Sequence, residues 1–359
     1  MTRVHNFAAG PAALPLPVLE KIREELLDFR GSGMSVMEMS HRGKVFDDLY
    51  HETIARFRSV ASIPERFDVL FMTGGASLQF ALIPMNLAKS KRAGYINTGV
   101  WSEKAIEQAE LLGVSVHNVG SSKESNHDHI PTSFNFSKGL DYVHMTSNNT
   151  IFGTQFHALP APEDTQLIID MSSDFISKPI DWSHIGLVYA GLQKNAGPSG
   201  LTVAVIDRDY YGRESEKTPT LLRYSTYAKN DSMYNTPPTF QIYVFNLVLQ
   251  WIESKGGLPG IDERNRKKAK VVYDAIDALS GTYIPHAKRE SRSLMNVTFN
   301  LKDRSLEKEF LSGAEKAMLS GLKGHRLVGG MRASIYNAME LESCEALAAY
   351  MRDFAAKQA

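Results

Sequence analysis

Six short apolar runs, at residues 69–72, 94–97, 142–145, 167–169, 187–190 and 202–206, set the strongest constraint on what this chain can fold into. Each has the length of a strand rather than of a buried helix, and segments with helical spacing lie between them. Strands that are apolar on both sides must be covered on both sides, and the connecting helices supply the cover. The pattern predicts an α/β fold built on a parallel or mixed central sheet. Upstream, residues 1–15 are rich in turn formers and read as an extended arm. A helix is expected from Pro17, a residue suited to the first helical turn. Leu19, Ile22, Leu26 and Phe29 follow at helical spacing, and Gly31 and Gly33 end the pattern.

The texture changes after Gly256 and Gly257. A charged helical stretch from Asp262 to about Leu279 leads into residues 293–300, which alternate like a half-exposed strand. The last helical pattern carries Leu347, Tyr350, Met351 and Phe354 on one face. These features predict a large domain over residues 16–256. The arm (1–15) and a smaller α+β domain (257–359) complete the chain.

Lys plus Arg and Asp plus Glu both number 40, so the formal net charge is zero. That balance gives no general attraction to nucleic acid or to an anionic membrane. The basic stretch at 264–270 accordingly reads as a solvated helix face. There is no run of 18 apolar residues and no apolar leader at the N-terminus, and Cys344 is the only cysteine. A cytoplasmic protein is expected, with no intrachain disulfide. Any anionic ligand must be held by local basic residues.

Ligands of such sheets sit beyond the carboxyl ends of the strands, so the residues after each run carry the chemistry. Gly74, Gly75, Ala76 and Ser77 follow the first run and precede a helical pattern. They form either a plain strand-to-helix turn or a phosphate cradle. The spacing matches neither a P-loop nor the dinucleotide fingerprint. Asp170 ends the fourth run, where a carboxylate is costly unless capped or met by a cation. Lys194 follows the fifth run in a glycine-rich loop and is either an exposed loop lysine or a nucleophilic amine. The pair His127 and His129 lies in a polar loop and reads as solvated, so no metal site is expected. Taken together, an amine, a carboxylate and a phosphate anchor are what pyridoxal phosphate requires.

Seven segments, in order and at matching spacing, make the chain similar to the phosphoserine aminotransferase family. That family lies within the class V group of fold-type I pyridoxal-phosphate enzymes. The segments are residues 6–12, 39–42, 74–80, 170–173, 189–195, 233–240 and 324–337, nearly the whole length. The resemblance implies an aspartate-aminotransferase-like fold and a homodimer with shared active sites. It also implies amino transfer from glutamate to phosphohydroxypyruvate, giving phosphoserine in serine biosynthesis. Lys194 then carries the cofactor as a Schiff base and moves the proton, and Asp170 pairs with the ring nitrogen. Trp101 stacks on the ring, and Thr150, Ala76, Ser77 and Gln193 help hold the cofactor. Asn235 and Thr236 reach its phosphate from the other subunit. Arg332 clamps the substrate α-carboxylate. His41, Arg42, His325 and Arg326 form the distal anion pocket, the first two donated across the dimer. Ser77 stands where some members carry arginine.

Two other readings compete: an alanine–glyoxylate type of class V aminotransferase, and a pyridoxal-phosphate-binding protein without turnover. The paired basic residues His41–Arg42 and His325–Arg326 count against the first, and Lys194 with Asp170 against the second. A cysteine desulfurase is excluded by the position of Cys344, at the start of a helical pattern rather than on a loop.

Overall fold

The computed structural model describes residues 3–358. Prolines at 15 and 17 fix the backbone at the start of α1 (Leu16–Glu25). Within this helix only Val18, which is not on the expected apolar face, is fully buried, and Ile22 of that face is partly buried against the core. Leu19 and Leu26 lie at the surface, and Leu27 is 84% exposed. Phe29 reaches the core from a 3-10 turn beyond the helix end. A longer amphipathic helix, α2 (Lys44–Val60), buries Phe46, Leu49, Tyr50, Thr53 and Phe57 along one face.

All six apolar runs are strands. β1 (Phe67–Met72) leads through α3 (Gly75–Leu87) to β2 (Arg92–Asn97), and α4 (Val100–Leu111) leads to β3 (Ser115–Ser121). Then come β4 (Val143–Thr146), β5 (Leu167–Asp170), β6 (Ile185–Gly191) and β7 (Thr202–Asp207). They form one seven-stranded sheet in the order β1-β7-β6-β5-β4-β2-β3. Only β7 runs against its neighbours, so the sheet is mixed and mostly parallel. β3 was not among the expected strands. It is an edge strand in which only Val119 is fully buried, so its sequence lacks the continuous apolar run of the other six; β1, at the opposite edge, is buried along nearly its whole length.

The short α5 (Tyr224–Lys229) and the largely apolar α6 (Thr239–Ser254) complete the cover. One face of the sheet packs on α2 and α6, through Phe57, Phe71, Val188 and Phe245 among others. The other face packs on α3 and α4, through Leu70, Leu82, Tyr95 and Ala105.

A second layer of core is built by α7 (Gly257–Ala278), β8 (Tyr283–Pro285), β9 (Asn296–Leu301), α8 (Glu307–Lys316), β10 (Met331–Ser334) and α9 (Leu341–Gln358). β8, β9 and β10 pair antiparallel in that order. The arm joins this layer: Phe7 is in its core, and His5–Asn6 pairs with Leu319–Ser320.

Three expectations need correction here. The alternation at residues 293–300 is real, but its polar side is not exposed. Asn296 accepts from Asn148 Nδ2 at 2.8 Å and Thr298 Oγ1 donates to the Ile151 carbonyl at 3.2 Å, so polar residues line a buried seam. The basic stretch of α7, which begins at Gly257 rather than Asp262, is solvated only in part. Arg266 and Lys267 pair with Asp262 and Glu263 at the surface. Lys268, by contrast, is buried and donates to the carbonyls of Ile335 (3.0 Å) and Tyr336 (2.6 Å). His127 is likewise buried rather than solvated, packed against Phe152.

Candidate active site

β5 and β6 are parallel neighbours with Asp170 opposite Tyr189, so the residues that follow them emerge at one rim. Asp170 ends β5. Lys194 follows β6 by one turn of loop. Its ammonium donates to Thr150 Oγ1 at 2.7 Å and lies 4.8 Å from the centre of the Trp101 ring. Trp101 comes from the first turn of α4, the helix that follows β2 at the same rim. Thr150 lies in the turn between two paired short segments, Asn148–Asn149 and Thr154–Gln155. Its carbonyl receives Arg332 Nη1 at 3.4 Å from β10. Thr150 thus joins an amine of the large sheet to a guanidinium of the small one.

The electrostatics follow from enclosure. Asp170 is 5% exposed and accepts from the Ser172 amide at 2.9 Å. Burial pushes its carboxyl above the usual range, opposed chiefly by the Lys194 charge. Burial pulls Lys194 down to about 8, with Asp170 opposing and Arg332 assisting. A small aldehyde should therefore modify Lys194 at a rate that rises about tenfold per pH unit below about 8 and then levels off, whereas ordinary lysines keep gaining towards pH 10. Borohydride trapping across a pH series, read by mass spectrometry, measures this. A profile that climbs through pH 9 would contradict the enclosure. Arg332 is half-buried, its pKa lowered by burial, and has no carboxylate partner among the described residues. A desolvated guanidinium of that kind is a receptor for an anion.

At the neighbouring strand end, α3 begins after Gly74, whose φ is 91°. No side chain caps this helix and no acidic residue sits in its first turn, so its leading amides, including those of Ala76 and Ser77, remain free for an anion. Gly191 and Gln193 lie against the same helix start. The turn requires glycine at 74: a Cβ there would stand 2.4 Å from Leu78 Cδ2 in a backbone conformation that L residues avoid. Gly74→Ala should lower stability by about 1–2 kcal/mol. A thermal melt indistinguishable from that of the unchanged protein would contradict this.

Sequence reading missed part of the surround. Asp174 is a second buried carboxylate, held by Ser147 and by Gln155 Nε2 at 3.0 Å, four residues after Asp170 in the same turn-rich segment. Asn195 joins the lysine loop to both halves of the molecule: its Nδ2 donates to the Phe175 carbonyl (2.7 Å) and its Oδ1 accepts from the Asn337 amide (2.8 Å). The arm lies on this loop, with the Ala12 amide bonded to the Gln193 carbonyl at 2.9 Å.

Residues 4–347 match the model of the family described as Aminotransferase class-V. A phosphoserine aminotransferase from Lysinibacillus sphaericus is 51% identical, and one from Herpetosiphon aurantiacus 53% identical, each over 99% of both chains. The solved phosphoserine aminotransferase of Bacillus circulans subsp. alkalophilus superposes with a TM-score of 0.97 at 49% identity, covering 99% of both chains. A PLP-bound phosphoserine aminotransferase from Trichomonas vaginalis gives 0.93 at 41% identity, covering 98% of this chain and 100% of that one. This chain is a class-V aminotransferase of the phosphoserine aminotransferase family.

Within this aminotransferase, a single chain gathers Lys194, Asp170, Thr150, Trp101, Gln193, Arg332 and the start of α3 at one rim. His325 stands close to Arg332, which with Arg326 and Lys104 adds to the effect of burial in lowering its pKa. His41, Arg42, Asn235 and Thr236 make no side-chain hydrogen bond to that rim. Arg42, Asn235 and Thr236 are exposed, and His41 Nε2 is buried without a partner.

Proposed function

We propose that this aminotransferase binds pyridoxal phosphate at the Lys194 rim and transfers the amino group of glutamate to 3-phosphohydroxypyruvate, giving O-phosphoserine and 2-oxoglutarate. The observation that carries the reading is the convergence of an amine at about 8 and a half-buried arginine without a carboxylate partner on Thr150, with a buried carboxylate acting on the amine. The relatives' shared activity supplies the substrate pair. The residues present fit the cofactor: Lys194 for its carbonyl carbon, Asp170 for its ring nitrogen, the face of Trp101 for its ring, and the free amides at 76 and 77 for its phosphate. Trp101 Nε1 is also buried without a partner.

When bound, pyridoxal phosphate withdraws electrons from the substrate α-carbon and stores the amino group between the two half-reactions. Arg332 holds the α-carboxylate of either substrate by paired charge-assisted hydrogen bonds. Lys194, freed from the cofactor, takes the proton from the α-carbon of glutamate, and in the return half gives one to the α-carbon of the oxo acid. Its lowered pKa suits both directions near neutral pH. Asp170 keeps a proton on the ring nitrogen. Asp174 and Ser147 fix the segment that aims Asp170. His325 and Arg326, with His41 and Arg42, take the distal phosphate or carboxylate. Incubating the protein with glutamate and phosphohydroxypyruvate and resolving the products by chromatography tests the reading. Phosphoserine and 2-oxoglutarate in equal amounts are expected, and their absence would overturn it.

The distal pocket needs a second copy of the chain. Leu27 (84% exposed) and Met37 (57%), with Leu16, Leu26 and Met34, leave apolar side chains at the surface in the segment before His41 and Arg42, which supports a dimer seam there. A homodimer in the cytoplasm, each subunit lending His41, Arg42, Asn235 and Thr236 to the other's site, accounts for this surface. Mixing Lys194→Ala with Arg42→Ala protein, after subunit exchange, should then restore up to about a quarter of normal activity. Half of the dimers are hybrids, and each hybrid has one intact site. No recovery, with exchange verified by mass spectrometry, would count against donation across the seam.

A further inference from the structure

Lys104 is exposed on α4, one turn beyond Trp101. Its ammonium lies 5.1 Å from the centre of the Trp101 ring, the same ring that Lys194 approaches to 4.8 Å. Carboxylates are at hand on this helix: Glu103 takes Lys123 at 2.9 Å, and Glu107 lies three residues beyond Lys104 at the favourable helical spacing. Lys104 nonetheless makes no ion pair or hydrogen bond among the described residues. Arg326, Arg332 and His325 likewise have no carboxylate partner. Burial first, then Arg332, Arg326 and Lys104, holds His325 towards its neutral form, so all three cations lie near this imidazole. In a chain whose positive and negative side chains balance, three cations near one imidazole, with no acid partner among the described residues, give a local positive field suited to a polyanion.

Arg332 is committed to the α-carboxylate in the function proposed above, on which this inference rests. The other cations must therefore distinguish a phosphate, with about −1.5 to −2 charge, from the single charge of a distal carboxylate. A lysine on a flexible stem is a point charge that gains in proportion to the charge it meets. We propose that Lys104 is a specificity-determining residue: lodged over Trp101 at the mouth of the site, it favours phosphorylated three-carbon acids over dicarboxylates.

Two unreactive probes test this on the cofactor-loaded protein. 3-Phosphoglycerate carries the carboxylate and the phosphate but no group that can transfer, and glutarate carries two carboxylates. By calorimetric titration, Lys104→Gln should weaken 3-phosphoglycerate on the order of five-fold, the scale of one partly screened charge pair, and glutarate by less than about two-fold. Lys104→Arg should restore most of the loss, and added salt should narrow the gap. In turnover the same variant should raise KM for phosphohydroxypyruvate with kcat unchanged. Equal weakening of both probes, or of neither, would overturn the role. Binding is read without turnover. A protein that binds 3-phosphoglycerate but moves no amino group would therefore overturn the transamination reading and leave the comparison between Lys104 variants intact.

Discussion

Lys194→Ala should reduce turnover by about 10⁴-fold or more while leaving the protein folded. No other amine among the described residues bonds to Thr150. Lys104 reaches the same tryptophan from an exposed helix turn, and Lys268 is committed to two carbonyls in the second core layer. The substitution removes an amine whose protonation burial already disfavours, so the loss in stability should stay within about 1 kcal/mol. The stem is part of the packing, since a Cβ on Gly10 would meet Lys194 Cγ at 3.1 Å, but the arm can settle into the space left. Steady-state rates alongside a thermal melt separate the two effects. A folded variant that retains wild-type-like turnover would remove Lys194 from the chemistry.

Arg332→Ala should raise KM for glutamate and for phosphohydroxypyruvate alike, with kcat/KM falling on the order of 100-fold for each. Both substrates present an α-carboxylate, and Arg332 is the one guanidinium among the described residues that bonds to Thr150, itself bonded to Lys194. Its burial without an acidic partner means that its carboxylate must come from outside the chain. A loss confined to one substrate would instead assign Arg332 to a distal group. Because the substitution removes an unpaired half-buried charge, it should not destabilise the protein, and a melt checks that.

The sheet was legible because burial on both faces writes continuous apolar runs, and six strands carry them. β3 was not, because only Val119 of it is fully buried, whereas β1 at the opposite edge is buried along nearly its whole length. Residues 293–300 gave the right element and the wrong environment. Alternation reports that one side is polar, not that the polar side meets water, and here Asn296 and Thr298 are buried against residues 148–151. Lys268 was hidden by its neighbours: a run of basic residues on a helix looks solvated until the residue pointing inward is known. Asp170 and Lys194 stood out because both follow strands, where such a sheet presents its chemistry. Asp174 had no such mark, since a carboxylate inside a turn has many ordinary uses. Trp101 and Thr150 came from resemblance alone, and the structure puts both within reach of Lys194. His41, Arg42, Asn235 and Thr236 make no hydrogen bond to the rim within one chain; the proposed dimer would bring them there from a second copy.

The most direct measurement is the visible absorption spectrum of the protein supplied with pyridoxal phosphate, followed as glutamate and then phosphohydroxypyruvate are added. A band from the lysine-bound cofactor that glutamate bleaches and phosphohydroxypyruvate restores is the expected result, and it reports both half-reactions on Lys194. A protein that develops no such band when the cofactor is supplied would contradict the central claim, and with it every role built on that lysine.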